Sequence, residues 1–134
     1  MTCAIVGDSI ALGTAEAEGL AARYRPPCSV NAKIGIPSGQ IIGRVSDADL
    51  LVVSAGSNDP DNPELEKNLE AIRAKATGKV LWILPAVSLR AALIVDKVAG
   101  KHGDKVVAFT PGRDHTHPLS YVPIIAEIQR ELKP

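Results

Sequence analysis

Aromatic side chains are nearly missing from this sequence: it has one tryptophan, one phenylalanine and two tyrosines among 134 residues. Proteins that bind single-stranded nucleic acid usually stack bases on such rings, so that class is disfavoured. Net charge is missing too. Fifteen basic and fifteen acidic residues cancel, and no run of lysine or arginine makes the footprint that duplex binding needs. No nucleic-acid partner is expected. No apolar run approaches the roughly 18 residues of a membrane span. At the N-terminus, Met1-Thr2-Cys3-Ala4-Ile5-Val6 leads straight into a strand, with no basic segment before a long apolar stretch. Cytoplasmic residence is therefore the expectation, although a secreted form already processed would read the same. Cysteine is limited to Cys3 and Cys28. Their apolar surroundings predict two reduced core thiols rather than a disulfide.

What is present suits one globular domain over residues 1–134. The chain is 46% hydrophobic and 22% charged, and a chain of this size buries roughly two-thirds of its unfolded surface. With so few rings, Ala, Val, Ile and Leu must build the core.

The pattern alternates strand and helix throughout. Strands are expected at Thr2–Val6, Cys28–Ile34, Leu50–Ser54, Lys79–Leu84 and Lys105–Phe109. Leu50-Leu51-Val52-Val53-Ser54 is the clearest, apolar on both faces as buried parallel strands are. Helices are expected at Ala11–Tyr24, stopped by Pro26-Pro27, and in a short piece ending near Arg44. Three more follow: one opened by Asn62-Pro63-Glu64, one over Ser88–Gly100 and one over Leu119–Leu132. Inward positions are read as Leu12, Ala15 and Leu20, then Leu65, Leu69, Ile72 and Ala76. Leu89, Leu93 and Val98 follow, then Val122, Ile125, Ile128 and Leu132. Such alternation predicts a three-layer α/β/α sandwich with a five-stranded parallel sheet in the flavodoxin-like order 2-1-3-4-5.

Ligands in such folds gather at the C-terminal ends of the strands. Four loops fall there: Gly7–Gly13, Gly35–Gly39, Ala55–Asp61 and Pro111–Pro118. In the first, Ser9 sits between strand and helix. Its hydroxyl would lie beside free N–H groups and the positive end of the helix dipole, although Asp8 and Ser9 are also ordinary helix caps. In the third, the amide of Asn58 could donate to developing negative charge, although Gly56-Ser57-Asn58-Asp59 is also turn-forming sequence. In the fourth, Asp114 precedes His117 by three residues and could hold its ring. Together these loops supply nucleophile, oxyanion donor, base and orienter.

On those residues the sequence resembles the SGNH hydrolases, also called the GDSL lipases and esterases. Gly7-Asp8-Ser9-Ile10 matches the family's nucleophile motif, with Ile10 in place of the usual leucine. Gly56-Ser57-Asn58-Asp59 matches its Gly-x-Asn-Asp motif, and Asp114-His115-Thr116-His117-Pro118 its Asp-x-x-His-Pro motif. Tyr121 falls where that helix often has a tyrosine. The resemblance spans residues 5–121. It implies an oxyanion hole made by the N–H groups of Ser9 and of a glycine after the second strand, with the Asn58 amide. Gly35 is preferred for that glycine and Gly39 is the alternative.

The resemblance further implies a serine esterase acting through an acyl-serine, with Ser9, Asp114 and His117 catalytic and no metal or organic cofactor. The loops are short, which predicts an open site for acetyl to butyryl esters, an acetylated saccharide among them. Acyl transfer to another acceptor would use the same residues. A binding domain that kept the fold is the third reading. His115 and His117 with Asp114 could instead hold zinc, but no fourth ligand cluster is evident. Asn58-Asp59-Pro60-Asp61-Asn62 lacks the glycine and the distal glutamate of a calcium loop. His102 reads as a surface or capping residue and Trp82 as core.

Overall fold

The computed structural model describes residues 1–22 and 25–133. Its centre is a parallel sheet of five strands: β1 (Cys3–Gly7), β2 (Ser29–Ala32), β3 (Leu50–Ser54), β4 (Lys79–Ile83) and β5 (Lys105–Val107). Their order is 2-1-3-4-5, with every neighbouring pair parallel, as the sequence pattern predicts. The helices are α1 (Ser9–Ala21), α2 (Ser38–Ile41), α3 (Leu65–Lys75), α4 (Leu89–His102) and α5 (Val122–Leu132). A 3-10 turn, Ile42–Arg44, follows α2.

Alternation along the strands sorts the core onto two faces. Ala4, Val6, Leu51, Val53, Val80 and Trp82 pack with Leu65, Leu69 and Ile72 of α3 and Ala91, Val95 and Val98 of α4. Ile5, Leu50, Val52, Leu81 and Ile83 pack with Ile10 and Ala11 of α1 and Ile124, Ile125 and Ile128 of α5. Trp82 is fully buried as expected, and its indole N–H donates to Asp104 at 3.0 Å.

The cysteines depart from expectation. Cys3 and Cys28 are joined in a disulfide, their Cα atoms 4.6 Å apart. Cys3 begins β1 and Cys28 immediately precedes the adjacent β2, so strand pairing brings the two sulfurs together. Reduced thiols therefore no longer support the cytoplasmic expectation.

Several inward assignments also fail. Leu20, Leu89, Leu93 and Val122 are exposed, at 80, 75, 58 and 71%. The buried face of α1 is Ile10, Ala11, Thr14 and Glu18 instead. Glu18 can be there because Arg25 pairs with it at 2.5 Å and the Cys28 N–H donates to it at 2.9 Å. The expected end of α1 at Tyr24 lies outside the described residues. Asn62 does not cap α3, which starts at Leu65; its side chain accepts from the Glu64 N–H in the turn before it. His102 is the last residue of α4 and pairs with Glu70 at 2.9 Å.

Candidate active site

β1 ends at Gly7, where the chain must pass β3 closely. A β-carbon on Gly7 would lie 1.9 Å from the Ser54 carbonyl oxygen, and φ is +138° there, so only glycine fits. The Asp8 N–H then donates to that carbonyl at 3.2 Å. Asp8 caps α1: its Oδ1 accepts from the Ile10 N–H at 3.0 Å and from Ser54 Oγ at 2.8 Å. Asp8 takes the capping role, which leaves the Ser9 hydroxyl free for another partner.

That partner is His117. Ser9 Oγ lies 2.7 Å from His117 Nε2, and His117 Nδ1 lies 2.6 Å from Asp114 Oδ2. A carboxylate accepts, so Nδ1 carries the proton; in the neutral ring Nε2 is then the acceptor and the Ser9 O–H donates to it.

The loop that presents His117 is pinned from both sides. Gly112 N–H donates to the His117 carbonyl at 2.8 Å and Leu119 N–H to the Thr110 carbonyl at 2.9 Å. Asp114 Oδ1 accepts from the backbone N–H groups of Thr116 and His117 at 3.0 and 2.9 Å. One carboxylate thus shapes the turn with one oxygen and orients the imidazole with the other. The backbone N–H bonds of Thr116 and His117, then the His117 ring, pull the Asp114 carboxyl down to about 2. Between them His115 adopts a left-handed φ of 60°, uncommon for a residue with a β-carbon.

The other two loops meet each other. Asn58 Nδ2 donates to the Ile36 carbonyl at 3.1 Å, which leaves its second amide hydrogen uncommitted. Lys33 N–H donates to the Gly7 carbonyl at 2.9 Å, joining the end of β2 to the Ser9 loop. Gly35, at φ +78°, lies between these two ties. Gly39 lies in α2, against the Asn68 side chain of α3. The N–H groups of Ser9 and Gly35 have no hydrogen-bond acceptor among the described residues.

Sequence reasoning missed Ser54, Ser38 and Asp59, whose hydroxyls and carboxylate bind these loops together. Ser54 had a signal, a polar residue closing an otherwise apolar strand. Among the described residues no group of three or more His, Cys, Asp or Glu side chains gathers as a metal-ligand set, and no helix is long and apolar enough to cross a membrane. Concavities of about 500, 420 and 440 Å³ are lined by Cys3, Arg25 and Pro27, by Ala17, Tyr121 and Ile125, and by Arg73, Lys79 and Asp104. Ser9, Asn58 and His117 line none of these three.

Among solved structures the chain is similar to the C-terminal catalytic domain of Streptococcus pneumoniae peptidoglycan O-acetyltransferase A, determined with a methylsulfonyl adduct. The TM-score is 0.60 at 15% identity, over 97% of this chain and 87% of that one. The two chains share a fold. No family model matches this chain, and no curated protein matches it in sequence. The shared fold is the α/β sandwich described above, with the carboxyl ends of its strands carrying Ser9, Gly35 and Asn58.

Proposed function

We propose that this chain is a serine esterase that hydrolyses small acyl esters, acetyl to butyryl, through an acyl-serine intermediate. The observation that carries the reading is the line from Ser9 Oγ through the His117 ring to Asp114, at 2.7 and 2.6 Å. A structural role would not need a serine hydroxyl, an imidazole and a carboxylate from two distant loops in that order.

In this reading His117 Nε2 takes the Ser9 proton as Ser9 Oγ attacks the ester carbonyl carbon. The carbonyl π electrons move to oxygen, and the oxyanion accepts from the N–H groups of Ser9 and Gly35 and from the second amide hydrogen of Asn58. Gly39 is the alternative to Gly35. The uncommitted donors of Ser9, Gly35 and Asn58 support this assignment. A donor of this kind contributes about 3 kcal/mol to an acyl-transfer transition state. The C–O bond to the alcohol breaks and the alcohol leaves with the proton from His117. Water then attacks the acyl-serine, giving its proton to the same nitrogen, and frees the acid and Ser9. Asp114 keeps Nδ1 protonated and offsets the charge of the imidazolium throughout.

The short connections after β1 and β2 support the short-acyl preference. Burying each methylene would add about 0.8 kcal/mol, but only where a wall covers it. The alcohol part would lie along the open surface, which suits an acetylated saccharide.

A second reading is acyl transfer to an acceptor other than water. Its support is the printed name of the structural neighbour, a peptidoglycan O-acetyltransferase. The discriminating experiment incubates the chain with p-nitrophenyl acetate, with and without a saccharide acceptor. Free acetate as the main product with either mixture supports the esterase. Acetylated saccharide as the main product supports the transferase. Fluorophosphonate labelling at Ser9, lost in Ser9→Ala, is expected under both. No labelling and no turnover would leave a binding domain that kept the fold.

A further inference from the structure

Asn58 and Asp59 are consecutive, and each reaches across to the loop after β2. The Asn58 amide donates to the Ile36 carbonyl at 3.1 Å. Asp59 Oδ1 accepts from the Ser38 N–H at 3.1 Å and its Oδ2 from Ser38 Oγ at 2.5 Å. These form two rungs, 36 to 58 and 38 to 59. Two rungs fix both the separation and the angle of the loops, where one would leave a hinge.

The second rung is braced further. Ser38 is fully buried, and its Oγ also accepts from Asn68 Nδ2 of α3 at 3.0 Å. Asn62 Nδ2 donates to Asp59 Oδ2 at 3.0 Å. The Asp59 carboxylate thus takes three donors from two residues, Ser38 and Asn62. The first rung is weaker: it is one neutral hydrogen bond from an exposed side chain.

We propose that Asp59 is a positioning residue for Asn58. By gripping Ser38 it holds the Ile36 carbonyl in place, and that carbonyl fixes one hydrogen of the planar Asn58 amide. The other hydrogen then has one direction, toward the oxyanion. Asp59 touches neither substrate nor the reacting atoms. The inference rests on the esterase reading above and adds to it the device that preorganises its side-chain oxyanion donor.

Asp59→Asn tests it. A carboxamide puts an NH₂ where one carboxylate oxygen now accepts, facing the Ser38 N–H or the Ser38 hydroxyl and Asn62 amide. The second rung is weakened in either orientation: it loses the carboxylate charge and either the Ser38 N–H bond or the Asn62 brace. On p-nitrophenyl acetate, D59N should lower kcat by about 10- to 100-fold, the cost of misplacing a catalytic group by about an ångström, with KM little changed. Built into Asn58→Ala, the same change should cost at least about fivefold less, because the group it positions is gone. Ser38→Ala, which removes the hydroxyl but keeps the N–H, should show a smaller loss with the same dependence on Asn58. If D59N does not fold, S38A in both backgrounds decides in the same way.

Wild-type kcat in D59N and S38A would overturn the inference, as would a loss of equal size with and without Asn58. Those outcomes require an active wild type labelled at Ser9. A wild type with neither turnover nor labelling overturns the esterase reading itself, and this inference with it.

Discussion

The hydroxyl oxygen of Tyr121 lies 2.1 Å from the point where a β-carbon on Gly13 would stand, and the ring carbon bearing it 2.4 Å away. Gly13 is one helical turn beyond Ser9, and Tyr121 is four residues beyond His117. The tyrosine therefore rests on the backbone of α1 and ties the His117 loop to the helix that carries the serine. Gly13→Ala should push the ring away. Alanine favours a helix by about 1 kcal/mol over glycine, but overpacking costs about 1–3 kcal/mol. The variant should be less stable than wild type and slower in kcat. In a Tyr121→Ala background the clash is gone and the same change should stabilise. Urea midpoints of the four proteins test this sign reversal.

Asn58→Ala should lower kcat by roughly 10²- to 10³-fold with little change in KM, since a donor to the oxyanion acts on charge present only in the transition state. Initial rates across a range of p-nitrophenyl acetate concentrations separate the two constants. A raised KM at constant kcat would assign Asn58 to substrate binding instead.

Asp114 should leave a mark on acid stability. Its carboxyl is drawn down to about 2 in the fold from 3.8. The ionised form therefore stabilises the fold above 3.8, and that contribution is lost as pH falls toward 2. Asp114→Asn lacks it at every pH. The urea midpoints of wild type and D114N should differ at neutral pH and converge near pH 2, if Asp114 titrates at about 2 as its bonds require.

Asp8 has the opposite sign. Burial raises its pKa above 3.8, against the lowering effect of the Ser54 and Ile10 hydrogen bonds, and its Oδ2 has no hydrogen-bond partner among the described residues. The fold then holds the proton more tightly than the unfolded chain does. Ionised Asp8 costs stability at neutral pH, and the cost fades as pH falls through the folded value toward 3.8. Asp8→Asn is neutral throughout and can still accept through Oδ1. Its stability relative to wild type should be greatest near neutral pH and shrink on acidification. A difference independent of pH would show that Asp8 titrates alike in both states.

Reduction of Cys3–Cys28 should cost about 3–4 kcal/mol, the loop-closure value for a sequence separation of 25. Urea midpoints with and without a thiol reductant, against a Cys3→Ala/Cys28→Ala variant that should not respond, measure it.

How much of this was legible in the sequence depended on the range of the interaction. β3 was read to the residue, because Leu50–Val53 is apolar whichever face is considered and Ser54 closes it. The strand order followed from strand–helix alternation. The face of α1 was misread because hydropathy places Glu18 outside, and only Arg25 and the Cys28 N–H, supplied by the folded chain, allow it in. Leu89 and Leu93 misled in the same way: α4 buries Ala91, Val95, Val98 and Ala99, a narrower face of smaller residues. Ser9, Asn58, Asp114 and His117 stood out because each sits in a short motif. Ser38 and Asp59, 21 residues apart, carry no local signal of their pairing. The disulfide was missed for a related reason. Apolar neighbours describe the surroundings of a thiol but not its distance from another one, which strand adjacency sets.

The Cys3–Cys28 bond makes the stretch between them a closed covalent ring, and that ring contains Ser9 and the whole of α1. A protease that cuts once inside it releases no fragment. The nicked molecule keeps its mass but for one added water, and the damage stays hidden on a gel until thiol is added. A single cut in Asp59–Pro63 is different. It leaves Ser9 and His117 on separate chains, held together by the β3–β4 ladder and packing with no covalent link.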